Sequence, residues 1–270
     1  MLKATRTLAI LLAAGLGLAA GAAQGAGEAK HPHAPPGGWS FEGMFGHYDK
    51  AAVQRGFQIY KEVCAACHGM EYVAIRTLGS PSGPGYSEDE VEAVAAEFRV
   101  PAGPDPQTGS LVDDIGLPRL RPALPSDRFT SPYPNDIAAR AANGGALPPD
   151  LSVIAKAREG GASYIYSLMT GYQEPPPGVT LEAGMHYNPY MAGGQIAMPP
   201  QLVPDRVAYE DGTEASVEQM ASDIATFLNW AAEPELEFRK KLGFMVISYL
   251  AVLSLLVFLA YRRLWRNVGH

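Results

Sequence analysis

Cysteine is nearly absent from this 270-residue chain, which contains only two. A framework of several disulfides is therefore excluded, since at most one bridge could form. Basic residues are also outnumbered, because 21 lysines and arginines stand against 28 acidic residues. A nucleic-acid-binding surface needs positive charge to displace phosphate counterions, so we expect no nucleic-acid partner. Global disorder is excluded as well, because 47% of the residues are hydrophobic and can form a core.

Strand-like alternation of apolar and polar residues is scarce too, whereas glycine and proline are plentiful at 29 and 23 residues. The glycines and prolines are especially frequent in two stretches, 101–134 and 171–204. Short helical patterns cover 135–142, 151–158 and 162–170. We therefore predict a mainly α domain with long Gly/Pro-rich loops.

The N-terminus has the pattern of a secretory signal. Lys3 and Arg6 precede the uncharged run 7–26, whose apolar core at 8–18 is too short to span a membrane comfortably. We predict that residues 1–25 are a cleaved signal peptide, and an uncleaved N-terminal anchor is the alternative. The Pro-rich stretch that follows, with His31 and His33, is interpreted as a flexible, solvated arm.

A longer apolar segment lies near the C-terminus, where residues 242–260 carry no charge and basic residues flank both ends. A helix of this length covers nearly 30 Å at ~1.5 Å per residue, enough to cross a hydrocarbon core. We predict one transmembrane helix at about 242–260, within an anchor and short cytoplasmic tail formed by residues 239–270. A cleaved signal would place the domain 26–238 in the periplasm and the C-terminus in the cytoplasm of a bacterial inner-membrane protein.

The charge is unevenly distributed along the chain. Residues 27–238 contain all 28 acidic residues and 13 basic ones, so this part carries a net charge of −15. Such a field attracts a basic partner and speeds the encounter with it. The acidic run is densest at Glu88, Asp89, Glu90 and Glu92, followed by Glu97.

Both cysteines lie in one motif, Cys64-Ala65-Ala66-Cys67-His68. Cys-x-x-Cys-His is the attachment site of c-type haem, in which two thiols form thioethers with the porphyrin and the histidine binds the iron. A redox dithiol would be expected in a βαβ setting, and a structural zinc site would need further Cys or His ligands. The sequence has neither feature, so we predict one covalently attached haem c.

Two helices are predicted to frame this motif. Val53, Phe57, Tyr60 and Cys64 recur at helical spacing after Asp49, a candidate N-cap, so the first helix would deliver the cysteines at its C-terminal end. The second begins at the capping-box pattern Ser216-x-x-Gln219 and stops before Pro234. Gly56 would allow the two helices to approach closely. Such a crossing is the ground plan of cytochrome c-like domains.

The second axial ligand of the iron decides between ligand binding and electron transfer, because a methionine there closes the iron and raises its potential. Met70 is too near the attachment site, and Met169 fits the core face of a helix. The candidates left open are Met185, His186, Met191 and Met198. Met198 is favoured because Pro199 and Pro200 would stiffen the loop directly after it. An open position would instead suit a haem-based sensor or a peroxidase.

Several further motifs resemble those of the cytochrome c1 family, the haem subunits of ubiquinol:cytochrome c oxidoreductases (cytochrome bc1 complexes), in a bacterial form. The resemblance covers nearly all of the chain after the signal, including the single anchor. It rests on these stretches: 60–70 with Cys-x-x-Cys-His-Gly-Met, 132–135 with Pro-Tyr-Pro-Asn, 138–152 ending in Leu-Pro-Pro-Asp-Leu-Ser, 168–172, 187–190, Ile-Ala-Met-Pro-Pro at 196–200, 209–213 and 230–235.

The resemblance implies roles for individual residues. Cys64 and Cys67 would form the thioethers, and His68 and Met198 would be the axial ligands of the haem iron. Arg121 would lie near a haem propionate, while Asn143 and Pro149 would line the haem pocket. The alternative for Arg121 is a solvated loop charge, and the alternative for Pro149 is a stop before a helix capped by Asp150.

The same resemblance implies a function and partners. The subunit would take single electrons from the Rieske iron-sulfur protein and pass them to a soluble or tethered periplasmic cytochrome c, in a respiratory or photosynthetic chain. It would lie beside cytochrome b in a dimeric, proton-translocating complex, without being a catalyst alone. Another membrane-tethered cytochrome c, either a carrier or an oxidase subunit, is the alternative.

Overall fold

The computed structural model describes residues 29–267, so the predicted signal peptide lies outside the described residues. The described part is mainly α-helical, as predicted. Its helices are α1 (Lys50–Ile59), α2 (Glu88–Glu97), α3 (Asp136–Ala142), α4 (Ala162–Thr170), α5 (Val217–Ala232) and α6 (Leu236–Trp265), with a short 3-10 helix at Ile75–Gly79. Two small antiparallel pairs complete it: β1 (Arg99–Pro101) with β2 (Leu120–Pro122), and β3 (His186–Tyr187) with β4 (Gln195–Ile196).

Helix α1 begins where the sequence predicts. The carboxylate of Asp49 accepts hydrogen bonds from the backbone N–H groups of Ala51 and Ala52, which confirms the N-cap. After Ile59 the helix continues as a π-helical turn, Tyr60–Cys64. Single π turns within helices often mark functional sites, and this one ends at the first cysteine.

Helices α1 and α5 cross at Gly56, as predicted. A Cβ atom built on Gly56 would lie 2.2 Å from the backbone oxygen of Asp223 and 2.5 Å from the Cβ of Phe227. Only hydrogen fits at this position. Large buried side chains from both helices form the core around the crossing: Phe57, Tyr60, Phe227 and Trp230.

We expect Gly56→Ala to destabilise the fold by about 1–3 kcal/mol, because the added methyl forces two helix backbones apart. The gain in helix propensity of ~1 kcal/mol offsets only part of this cost. Urea unfolding of the detergent-solubilised protein, followed by circular dichroism, measures the change. Gly103→Ala is the matched control, because nothing lies within 4 Å of a Cβ at Gly103. Equal stability of the two variants would contradict the close crossing.

An ion pair joins the same two helices beside Gly56. The guanidinium of Arg55 donates to both carboxylate oxygens of Asp223, through Nε at 2.9 Å and Nη2 at 3.0 Å. Asp223 is buried, and it also accepts from the side-chain amide of Gln219. The side chain of Gln219 therefore bonds Asp223 and takes no part in a capping box. Ser216 alone caps the start of α5, because its hydroxyl accepts a hydrogen bond from the Gln219 N–H.

The helix predicted at 151–158 is wrong, because this segment forms successive turns. Its first N–H groups find partners outside a helix: Leu151 N–H donates to the carbonyl of Gly69, and Ser152 N–H donates to the side chain of Asp150.

From the sequence, helix α2 was described only as an acidic run, and no helix was predicted there. Its capping box is nevertheless in the sequence, since Ser87 and Glu90 bond each other's backbone N–H groups.

The N-terminal arm is docked against the domain, contrary to the interpretation of a flexible arm. Lys30 N–H donates to the carbonyl of Pro189 at 2.8 Å, and His33 N–H donates to the hydroxyl of Ser167 at 2.8 Å. The ring of His33 lies edge-on to the rings of Tyr166 and Tyr190. The arm thus connects α4 to the loop that follows it.

Helix α6 contains the predicted transmembrane segment and extends beyond it at both ends. It has the length and apolar composition to cross a membrane, and none of its most apolar window is buried against the rest of the chain. It starts at Leu236, only a few residues after α5 ends. The predicted boundary between residues 238 and 239 therefore falls inside the first turn of this helix.

Candidate functional site

The two cysteines and His68 lie in one turn at the end of α1. The carbonyl of Cys64 accepts hydrogen bonds from the N–H groups of Cys67 and His68, at 3.1 and 2.9 Å. Both cysteines are free thiols. Burial, with a smaller contribution from Cys67, raises the pKa of the Cys64 thiol to about 12.

The imidazole of His68 is oriented by a hydrogen bond of 2.7 Å between its Nδ1 and the carbonyl of Pro149. A carbonyl only accepts, so Nδ1 carries the proton and the lone pair lies on Nε2. Burial lowers the pKa of His68, although the bond to Pro149 opposes this effect. The ring is therefore a neutral imidazole whose Nε2 has no hydrogen-bond partner among residues 29–267, and neutral imidazole is the form that binds a metal.

Three further bonds attach the segment after His68 to the segment after Pro149. Leu151 N–H donates to the Gly69 carbonyl at 2.9 Å. The N–H of Glu71 donates to the carboxylate of Asp150 at 2.8 Å, and the N–H of Tyr72 donates to the hydroxyl of Ser152 at 3.0 Å. Asp150 and Ser152 thus hold Pro149 beside His68. Sequence reasoning had taken Asp150 as a helix cap and had no role for Ser152.

The loop that contains Met198 is attached to α4 and the residues after it. The hydroxyl of Tyr172 donates to the backbone carbonyl of Met198 at 2.9 Å. Asn188, which is fully buried, donates to the carbonyl of Leu168 at 2.8 Å. A Cβ on Gly171 would lie 2.5 Å from the ring of Tyr190, so the loop packs closely on the end of α4. Tyr172 and Asn188 fix the loop, and sequence reasoning assigned a role to neither.

The other candidate ligands differ in their surroundings. Met70 is completely buried, and Met169 packs against the core from α4, as the sequence indicated. The sulfur of Met191 accepts a hydrogen bond from Tyr164, at 3.5 Å. His186 lies on β3 and pairs with Ile196 of β4. In the part of the chain that the structure describes, no hydrogen-bond donor engages the sulfur of Met198.

Arg121 and Asn143 are both half-buried and make local contacts. Arg121 forms a two-bond ion pair with Asp127, at 2.6 and 2.9 Å, and this pair lowers the pKa of Asp127. The side-chain amide of Asn143 donates to the hydroxyl of Tyr133 and to the carbonyl of Ala139. Four predicted site residues lie outside the Cys-x-x-Cys-His motif: Arg121, Asn143, Pro149 and Met198. Among them, Pro149 is the one that forms a hydrogen bond with a residue of the motif, His68.

A family model for the "Cytochrome C1 family" matches residues 39–268. The chain belongs to the cytochrome c1 family. It is 45% identical to cytochrome c1 of Rhodospirillum rubrum, over 96% of this chain and 97% of that protein. It is 50% identical to the mitochondrial cytochrome c1 heme protein of Saccharomyces cerevisiae, over 87% of this chain and 73% of that one. A protein named cytochrome b/c1 of Bradyrhizobium diazoefficiens is 42% identical over 98% of this chain, which spans 40% of that longer protein.

Membership of the cytochrome c1 family implies a haem cofactor, and the donor set at the end of α1 fits one. Two unpaired thiols stand three residues apart, and the adjacent imidazole has its Nε2 available for iron. Groups of three or more His, Cys, Asp or Glu side chains that could hold a bare metal ion are absent from residues 29–267. This donor set therefore suits a porphyrin better than a zinc ion.

The five acidic residues of the run 88–97 are exposed on α2. Glu88, Asp89 and Glu90 form its first turn, where negative charge stabilises the helix N-terminus. Glu97 pairs with Lys61 at 3.1 Å. These local roles account for four of the five carboxylates in the run without a partner protein, and they leave Glu92 facing solvent.

Proposed function

We propose that this chain is the haem-bearing subunit of a cytochrome bc1 complex, and that it relays single electrons from the Rieske iron-sulfur protein to a periplasmic cytochrome c. The observation that carries the proposal is the bond from His68 to Pro149 beside Cys64 and Cys67. This hydrogen bond orients the imidazole of the Cys-x-x-Cys-His motif for binding iron. The family match adds that proteins of this kind carry haem.

In this proposal one haem c is attached through thioethers to Cys64 and Cys67, with His68 and Met198 as the axial ligands. When bound, the haem supplies one-electron redox chemistry. The protein orients His68 through Pro149 and holds the Met198 loop through Tyr172. A loop fixed in this way would keep water and small ligands from a bound haem iron, which would suit electron transfer rather than ligand binding.

Arg121 is proposed to face a haem propionate. Three of its N–H donors are used by Asp127 and by the carbonyl of Pro122. A guanidinium has five such donors, so two are left for a carboxylate. Asn143 and Pro149 would line the pocket, Asn143 from the end of α3 and Pro149 from the segment beside His68.

The proposed surroundings follow from α6 and from the relatives. We propose that α6 crosses the bacterial inner membrane once, with the haem domain in the periplasm and the C-terminus in the cytoplasm, after removal of residues 1–25. The name of the Bradyrhizobium relative joins b and c1 in one protein, which supports a place beside cytochrome b. A dimeric complex is part of the proposal.

The charge of −15 on residues 27–238 supports a basic acceptor. Long-range attraction of this kind acts mainly on the association rate and weakens as salt screens it. A cytochrome c with a basic surface around its haem edge would be such an acceptor.

Purification of the tagged chain in mild detergent tests the proposal. We expect cytochrome b and a Rieske iron-sulfur protein to co-purify, because α6 would pack beside cytochrome b in the membrane. The same procedure applied to cells with the untagged chain is the control. Recovery of the haem protein alone, or together with oxidase subunits, would contradict the proposal and favour another tethered cytochrome c.

A further inference from the structure

A cavity of about 740 Å³ opens at the base of the haem domain, where α6 begins. It lies between the loop 44–47, the segment 80–82 and the first turns of α6. We call it the interface groove. None of the site residues described above lines it.

With α6 crossing a membrane as proposed above, the interface groove would lie at the level of the bilayer surface. The ring of Phe45 contacts the ring of Phe244 edge-on, with centroids 6.0 Å apart. Phe244 is the third residue of the uncharged stretch that starts at Leu242, so Phe45 is level with the edge of the hydrocarbon core. Phe238, at the other end of the groove, lies about 9 Å higher at ~1.5 Å per residue. This height matches the thickness of a headgroup layer to within a few ångströms.

The loop is held at this level by Lys240. Its ammonium group donates to the backbone carbonyls of Phe41 and Gly46. Met44 and Phe45 at the tip are nevertheless 63% and 78% exposed, and Phe238 opposite them is 61% exposed. Large apolar side chains in such a cluster are unfavourable in water and favourable at a membrane interface.

Charges of both signs line the groove in equal number. The basic residues are Lys240 and Lys241, and the acidic ones are Glu235 and Glu237. Lys240 is engaged by the loop, and Glu237 accepts a hydrogen bond from the backbone N–H of Tyr48. The side chains of Lys241 and Glu235 make no hydrogen bond or ion pair with residues of the described range. One cation and one anion are therefore available to a ligand.

We propose that the interface groove binds a zwitterionic glycerophospholipid, phosphatidylethanolamine, from the leaflet on the side of the haem domain. Lys241 contacts the phosphate, and Glu235 contacts the ammonium group. Phe45, Phe238 and Phe244 pack along the upper acyl chains. An anionic lipid lacks a partner for Glu235 and meets no excess of positive charge, so it binds less well.

Native mass spectrometry of the full-length protein in detergent, titrated with phosphatidylethanolamine or phosphatidylglycerol, tests this proposal. We expect one retained phosphatidylethanolamine and weaker retention of phosphatidylglycerol. Lys241→Gln and Glu235→Gln should each weaken phosphatidylethanolamine binding about tenfold, the value of one hydrogen bond to a charged group. Arg206→Gln is the matched control, because exposed Arg206 lies outside the groove.

Circular dichroism of each variant shows that the fold is retained. Unchanged phosphatidylethanolamine binding in both groove variants would overturn the proposal, and so would equal retention of the two lipids. A photoreactive amino acid in place of Met44 shows whether a lipid or another protein subunit occupies the interface groove. A lipid adduct in native membranes supports the proposal, whereas a protein adduct means that another subunit fills the groove.

Discussion

Met198→Leu should lower the midpoint potential of the haem sharply and open its iron to carbon monoxide. Leucine has a similar size but no sulfur, so with Met198 as the proposed ligand the iron would lose the group that favours its reduced state. Axial ligands move haem potentials over a range of ~0.8 V, and we expect the loss to take a substantial fraction of that range. Potentiometric titration and the carbon monoxide difference spectrum of the reduced protein measure the two effects.

The loop itself should keep its place in this variant, because Tyr172 bonds the backbone carbonyl of residue 198 and not its side chain. Met185→Leu and Met191→Leu are the matched controls and should keep the wild-type potential. If Met198→Leu keeps that potential and stays closed to carbon monoxide, Met198 is not the ligand. The control that then changes would identify Met185 or Met191, and His186 would be next.

Arg55→Met should destabilise the fold by about 3–5 kcal/mol, the cost of leaving a buried charge without its partner. The side chain of Asp223 is 1% exposed and loses two of its hydrogen bonds in this variant. Methionine retains most of the packing of the arginine stem, so the effect reports mainly on charge. Urea unfolding at neutral pH measures the loss.

The pH dependence of this variant has a defined sign. Burial already raises the pKa of Asp223, and Arg55 opposes that effect. Without Arg55 the folded state favours the protonated carboxyl still more, so stability rises as the pH falls. The deficit relative to the wild type should therefore shrink between neutral pH and about pH 5.

Two comparisons isolate the buried charge. Arg119→Met breaks the ion pair between Arg119 and Asp105, two side chains that are each 29% exposed. This variant should lose no more than about 1 kcal/mol of folding stability. Adding Asp223→Leu to Arg55→Met removes the stranded carboxylate and should restore much of the stability. If Arg55→Met and Arg119→Met lose equal amounts of folding stability, burial does not determine how much the Arg55 ion pair contributes.

Local signals were enough to predict the two helices that cross at the site. The caps at Asp49 and Ser216 act through neighbouring N–H groups, and the apolar spacing marks the buried faces. Gly56 also carried its own evidence, because a glycine in a helix interior is costly without a close neighbour. The Cys-x-x-Cys-His motif is local in the same way.

The remaining features depend on contacts between distant parts of the chain. The segment 151–158 has a helical pattern, yet Gly69, more than eighty residues earlier, accepts the N–H of Leu151. The pairing of Arg55 with Asp223 bridges 168 positions. The hydroxyl of Tyr172 finds Met198 only once the loop has folded back. Hydrophobic periodicity does not record such partners.

The crossing of α1 and α5 also sets the order in which the protein can be completed. Synthesis delivers α1 early, while α5 emerges just before the apolar helix α6. Until then Gly56 has no partner helix, and the loop between them must be closed at an entropic cost. Cys64 and Cys67 consequently spend most of translation on an unfinished surface. Under the proposed function, the thioethers to Cys64 and Cys67 would form in that interval, before α5 and α6 complete the fold.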